Sequence, residues 1–262
     1  MLSLLSCSRV ILIGLLTFPF RLSNHEDHVT LVVGPLKAKI KCHRALLGYF
    51  SAFFDKALYG EFAEGRPDAV TMDLPDDEEQ HVRAFVRWTY TGDVSESFPQ
   101  THEVWSPGGI FDETHVALEK LWIFADKILA PKFANDVMHF VLMKYSCSTL
   151  PPAAAQSIFE ESPPGSKLRM FAVKFIQGRG TLRDISSDSE DVRQDWLALL
   201  AKGGDLVTDV FLAGGFRDST DFKDVFLEEF PHSLDFLQVE GKVTAMEWSQ
   251  KKAYRGDKSE RL

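Results

Sequence analysis

Cys42 and His43 stand side by side. A thiol beside an imidazole is the pair that, in a nucleophilic enzyme, supplies an attacking sulfur and the base that activates it. Ala38, Ile40 and Cys42 alternate with Lys37, Lys39 and Lys41, however, so a strand here points Cys42 inward, and geometry argues against a catalytic role for His43. His25 and His28 are two imidazoles close in sequence, but with no third ligand at metal spacing they read as surface residues. There is no GxSxG elbow, Walker loop, GxGxxG after a strand or HExxH helix, and Gly214-Gly215 in AGGF lacks the context of a phosphate cradle. We therefore assign no catalytic, cofactor-binding or metal-ligating residue from the sequence, and expect no cofactor and no enzyme.

Composition narrows the classes further. The chain has 262 residues, 45% hydrophobic and 26% charged, which suits one good core plus an appended subdomain. Its 29 Lys plus Arg against 38 Asp plus Glu give a formal charge of -9, so there is no overall footprint for direct nucleic-acid binding. The three cysteines Cys7, Cys42 and Cys147 are odd in number and far apart, which favours neither a disulfide framework nor a CxxC metal site and points to a reducing compartment, cytoplasm or nucleus. Residues 10–20, VILIGLLTFPF, have the length of a signal-peptide apolar region but are too short for a helix of roughly 20 residues to span a bilayer. Their flanks are poor: only Arg9 precedes them, and RLSNHED follows with no small-x-small cleavage pattern. A secretory leader or anchor, a non-native start and an added strand or helix docked on the domain all remain open.

The elements that must position any site begin at His28. Val29 to Val33 is a continuous β-branched-rich run ended by Gly34-Pro35, as expected of a central strand buried on both faces. The alternating 38–42 run then predicts its hairpin partner, with a basic face toward water. His43 to Leu58 reads as two short helices, with Ala45, Leu46, Leu47, Phe50, Phe53, Phe54 and Leu58 on the apolar faces and Ser51 placed to cap the second. Val70, Met72 and Leu74 alternate with Thr71 and Asp73 in a third strand closed by Pro75. The acidic DDEEQ suits the N-terminus of a helix whose inward stripe is Val82, Phe85, Val86 and Thr89, with Trp88 alongside and Gly92 as the left-handed cap. Leu118, Leu121, Trp122, Ala125, Ile128 and Leu129, then Ala134, Val137, Met138, Val141, Leu142 and Tyr145, predict two further helices around Pro131.

The ordered pieces VTLVVG, HRALL, SAFFDKAL, GEF, VTMDLPDD and WTYTGDV, followed by LEKLWIFADKILAPKFANDVMHFVL, resemble the BTB/POZ domain, especially the many fungal proteins with one such domain and little else. The resemblance implies an α+β fold: a small three-stranded sheet covered by α-helices, here followed by a helical C-terminal extension. It also implies a protein–protein interaction module, commonly a homodimer, and in many members an adaptor that binds a cullin and brings substrates to a ubiquitin ligase. His43 then matches a structural position whose ring helps hold strand to helix. Two departures stand out. His28 occupies a place where many members carry Asp, with Asp27 one step earlier, and residues 93–114 form a long connection of a kind that is functional or disordered. The family's cullin contact uses a hydrophobic-x-acidic triplet. Phe111-Asp112-Glu113 matches it, with Phe111 as anchor and Glu113 as rim carboxylate, while Val94-Ser95-Glu96 is a rival match and Glu113 could equally cap a helix starting near His115.

The expected organisation is an apolar leader at 1–24, the BTB/POZ domain at 25–147, a linker at 148–165 with breakers around one short helix, a helical extension at 166–240 and a disordered tail at 241–262. In the extension, Leu168, Phe171, Ala172, Phe175 and Ile176 predict one helix and Val192, Trp196, Leu199 and Leu200 another, with the acidic SSDSED loop between them open to solvation or to phosphate. Phe211, Phe216, Phe222, Phe226, Phe230 and Phe236 read as core packing. The leading functional expectation is a self-associating interaction module and cullin adaptor. A transcriptional co-regulator or scaffold using the same dimer is the alternative, and an uncharacterised enzyme in the C-terminal half a third.

Overall fold

Alternation and helical periodicity translate directly into the architecture of the computed structural model, which describes residues 28–60, 71–95, 117–147, 149–179, 190–215 and 236–240. The chain divides into two compact units, one comprising residues 1–101, 127–133 and 239–262 and the other residues 102–126 and 134–238.

The first unit holds the sheet. Strand β1 (His28–Val33) pairs antiparallel with β2 (Ala38–His43), from His28 opposite His43 to Val33 opposite Ala38, and parallel with β3 (Thr71–Leu74), so the order is β2-β1-β3 with β1 central. Helices α1 (Arg44–Phe50) and α2 (Ala52–Tyr59) lie between β2 and β3 in the chain, and α3 (Glu79–Thr91) follows β3. The β2 pattern is as expected, with Ile40 and Cys42 buried and Lys39 and Lys41 exposed. The β1 pattern is not. Only Val29, Leu31 and Val33 are fully buried, while His28, Thr30 and Val32 are half-buried, so the apolar run reflects β-branched fit to the pleat as much as two-sided burial.

Ser51 starts α2 by accepting a hydrogen bond from the Phe54 N–H, as predicted, and its own hydroxyl donates to the Ile128 carbonyl. Leu46, Leu47, Phe54 and Leu58 are buried, but Phe53 is exposed and Phe50 half-buried. Phe54, Phe85, Trp88 and Phe133 form an aromatic core with ring centroids 5.0–6.1 Å apart along its contacts, within the range of favourable ring packing. Gly92 closes α3 at φ 70°, its N–H donating to the Trp88 carbonyl. Leu129 departs from its expected helical stripe. It lies past the end of the helix at φ 53° and is 51% exposed, while its carbonyl accepts from the Ala52 N–H.

Helices α4 (Leu118–Lys127) and α5 (Pro131–Cys147) bury the predicted stripes, and α5 begins at Pro131, where a missing N–H has no intrahelical partner to lose. Within the second unit, Glu119 is buried beside Tyr145, whose hydroxyl donates to it, and Lys144, whose ammonium lies 2.8 Å away. Burial first, and then the Glu119 charge, push the Tyr145 phenol up. The helix among the breakers is α6 (Pro152–Glu161), followed by α7 (Lys167–Arg179), α8 (Glu190–Ala201) and α9 (Asp205–Leu212). Arg169 of α7 is almost fully buried, with its guanidinium 2.6 Å from the Phe159 carbonyl and 2.7 Å from Asp205. Of the phenylalanine series, Phe236 is buried but Phe211 is 75% exposed, contrary to core packing there, and Phe216, Phe222, Phe226 and Phe230 lie outside the described residues.

Candidate functional site

At the end of β2 the sequence places a thiol next to an imidazole, and the fold separates them by function. Cys42 is 1% exposed and its thiol lies 3.8 Å from the Val29 carbonyl. Burial pushes its pKa up to about 12, so the sulfur is held as the neutral thiol, which is not the nucleophilic form. His43 is taken up by Tyr90, whose hydroxyl accepts from the His43 backbone N–H at 3.0 Å and lies 2.7 Å from Nδ1 of the same residue. A Tyr90 hydroxyl that donates to Nδ1 while accepting from the backbone requires the neutral His43 tautomer with its proton on Nε2. Burial raises the Tyr90 phenol, partly offset by the His43 backbone bond. Strand β2 is thereby tied to the last turn of α3, which is the structural part the family resemblance implied for His43.

His28 is half-buried rather than on an open surface, with its ring centroid 4.0 Å from that of His43 across the β1–β2 register. His25 lies outside the described residues. Among the described residues no group of three or more His, Cys, Asp or Glu side chains is arranged to hold a metal ion.

A groove of this unit forms where two turns meet. Val33, Gly34, Pro35 and Leu36 from the β1–β2 turn face Pro75 to Gln80 and Arg83 from the β3–α3 turn, enclosing a groove of about 580 Å³. Gly34 has φ +66°, and a Cβ there would come within 3.1 Å of the Asp77 carbonyl, so the close approach of the two turns depends on glycine. Leu36 at the tip is 90% exposed. Around it stand Asp76, Asp77, Glu78 and Glu79, of which Asp77 pairs with Lys127 at 2.7 Å and Glu79 with Arg83 at 2.6 Å. A groove with apolar walls and a carboxylate rim can bind a polypeptide, but it brings no nucleophile and base together. Periodicity could not reveal it, because its two halves are turns some forty residues apart in the chain.

Phe111 and Glu113 lie outside the described residues, as does most of the 93–114 connection. At its start, Val94 of the rival triplet is 2% exposed, and the Ser95 N–H donates to the Asp93 carboxylate at 2.7 Å. No helix among the described residues is long and apolar enough to cross a membrane.

Comparison with known proteins agrees with this geometry. No curated protein matches the chain. Residues 19–117 match the family model of the BTB/POZ domain, a span that takes in the whole β2-β1-β3 sheet, the α1–α2 pair, α3 and the His43–Tyr90 tie. Residues 19–117 therefore carry a BTB/POZ domain, a non-enzymatic protein-interaction module.

Proposed function

We propose that this protein is a self-associating BTB/POZ adaptor that joins a cullin scaffold to a partner selected by the helical extension, with the domain proper at residues 25–147, a linker at 148–165 and the extension at 166–240. The match to the BTB/POZ domain over residues 19–117 is the observation that carries the reading. The Phe111-Asp112-Glu113 triplet supports its cullin arm, because an apolar anchor entering a pocket beside a rim carboxylate is a common division of labour at interfaces. A negative net charge of -9 fits partners that are proteins rather than nucleic acid, and three scattered cysteines fit a reducing compartment, cytoplasm or nucleus.

Light scattering on the full chain, combined with co-precipitation with a cullin, tests both arms. The reading expects a dimer and cullin capture that Phe111→Ala and Glu113→Ala together reduce at least tenfold. A dimer that ignores cullin moves the function to a scaffold or transcriptional co-regulator, and a strict monomer removes self-association.

A further inference from the structure

In the second unit, a short segment of the chain's own C-terminal region is held the way a bound peptide is held. The side-chain amide of Asn135, on α5 and only 5% exposed, makes two bonds to the backbone of Gln238: its carbonyl accepts from the Gln238 N–H at 2.7 Å, and its NH2 donates to the Gln238 carbonyl at 3.1 Å. A carboxamide carries one acceptor and a pair of donors, so it satisfies both backbone polar groups of one residue without reading its side chain. The Gln238 side chain is read separately, since its amide donates to the Asp126 carboxylate at 2.7 Å. Two residues earlier, the Phe236 ring is buried edge-on against Phe171 at 5.9 Å, with the Lys174 ammonium 5.1 Å from its centroid. The chain is exposed again at Val239 and Glu240.

Hydrogen bonds to a peptide's main chain, combined with separate contacts to its side chains, are a means by which short segments are recognised. All four receiving residues, Asp126, Asn135, Phe171 and Lys174, belong to α4, α5 and α7, whereas the three seated residues form a short local motif. We propose that this surface is a peptide-recognition site for an aromatic-x-Gln segment, occupied in cis by Phe236–Gln238, and that a partner protein presenting the same motif takes it in trans by displacing that strap. The proposal stands independently of the cullin arm, because the site uses no residue of the 93–114 connection. A cis segment acts as a competitor at an effective concentration on the order of millimolar, so the site is weakly available in the intact chain and becomes available when the strap loses its anchors.

The test uses a fluorescently labelled synthetic peptide, LDFLQVE, titrated by anisotropy against the full chain as wild type, as F236A/Q238A and as F236A/Q238A/N135A. Binding to F236A/Q238A is expected to be at least tenfold tighter than to wild type. It should fall at least tenfold again with N135A, and peptides with Phe or Gln replaced by Ala should lose it. Equal affinity for wild type and F236A/Q238A, no binding to a variant whose circular dichroism and melting match wild type, or insensitivity to N135A each overturns the proposal. If F236A/Q238A does not fold, Q238A alone, which keeps the aromatic anchor, is read the same way. A smaller but definite gain in affinity supports the site, and no gain overturns it.

Discussion

Replacing Ser51 by Ala removes two hydrogen bonds with one atom. Ser51 is 1% exposed, and its hydroxyl both accepts from the Phe54 N–H at 3.1 Å and donates to the Ile128 carbonyl at 2.5 Å. Losing the cap costs about 1 kcal/mol. Leaving a buried carbonyl without a donor costs a further ~1–2 kcal/mol, because water does not reach it to compensate. The sum of about 2–3 kcal/mol corresponds to a fall in Tm of roughly 5–10 °C for a chain of this size. Urea denaturation followed by circular dichroism measures it. Ser51→Asp separates the two roles: a carboxylate is as good a cap as serine, but when ionised it only accepts and sets its charge against the Ile128 carbonyl. Ser51→Asp should therefore be no more stable than Ser51→Ala. A Ser51→Asp variant as stable as wild type, or a Ser51→Ala loss below about 0.5 kcal/mol, would refute the reasoning that Ser51 joins the helix pair to the 127–133 segment.

Three further expectations follow from single contacts. Cys42, neutral and buried with its pKa pushed up to about 12, should resist iodoacetamide in the folded protein at pH 8, as read by mass spectrometry of the Cys42 peptide. Because its folded pKa lies above the unfolded value of about 8.5, its contribution to stability is complete below that value and is lost as pH rises toward 12, so Cys42→Ala should flatten the decline in stability between roughly pH 9 and 12. Gly92, at φ 70° with open space around its Cα, should lose about 1 kcal/mol on replacement by Ala and less by Asn, measured by thermal melting, because the cost is backbone strain rather than a clash. Arg169→Met should destabilise by about 2–4 kcal/mol in a urea titration, mainly by stranding the buried Phe159 carbonyl, since its Asp205 partner is 57% exposed and returns to water.

Local rules were legible wherever a residue's neighbours in sequence are also its neighbours in space. Alternation placed Ile40, Cys42, Met72 and Leu74 inside, and helical spacing identified the buried stripes of α3, α4 and α5. Gly92 was readable as a left-handed cap and Ser51 as a helix start because both act within one turn of backbone. The same rules misread Leu129 and Phe211. Helical spacing counts an apolar residue as inward without knowing that the backbone has already turned to φ 53°, as at Leu129, or that no element among the described residues covers it, as at Phe211. Phe111 and Glu113 were picked out only through a family resemblance, since a three-residue pattern has no period to test, and both lie outside the described residues.

The order of most elements and the majority of the inward residues followed from the amino-acid order, because periodicity, capping and turn chemistry are short-range constraints. Tertiary structure alone could join His43 to Tyr90, bring two turns together as a carboxylate-rimmed groove, and seat Gln238 on Asn135 across 103 positions. Those contacts depend on where distant backbones come to rest and which polar groups burial obliges to find partners, and nothing repeated along the chain records that.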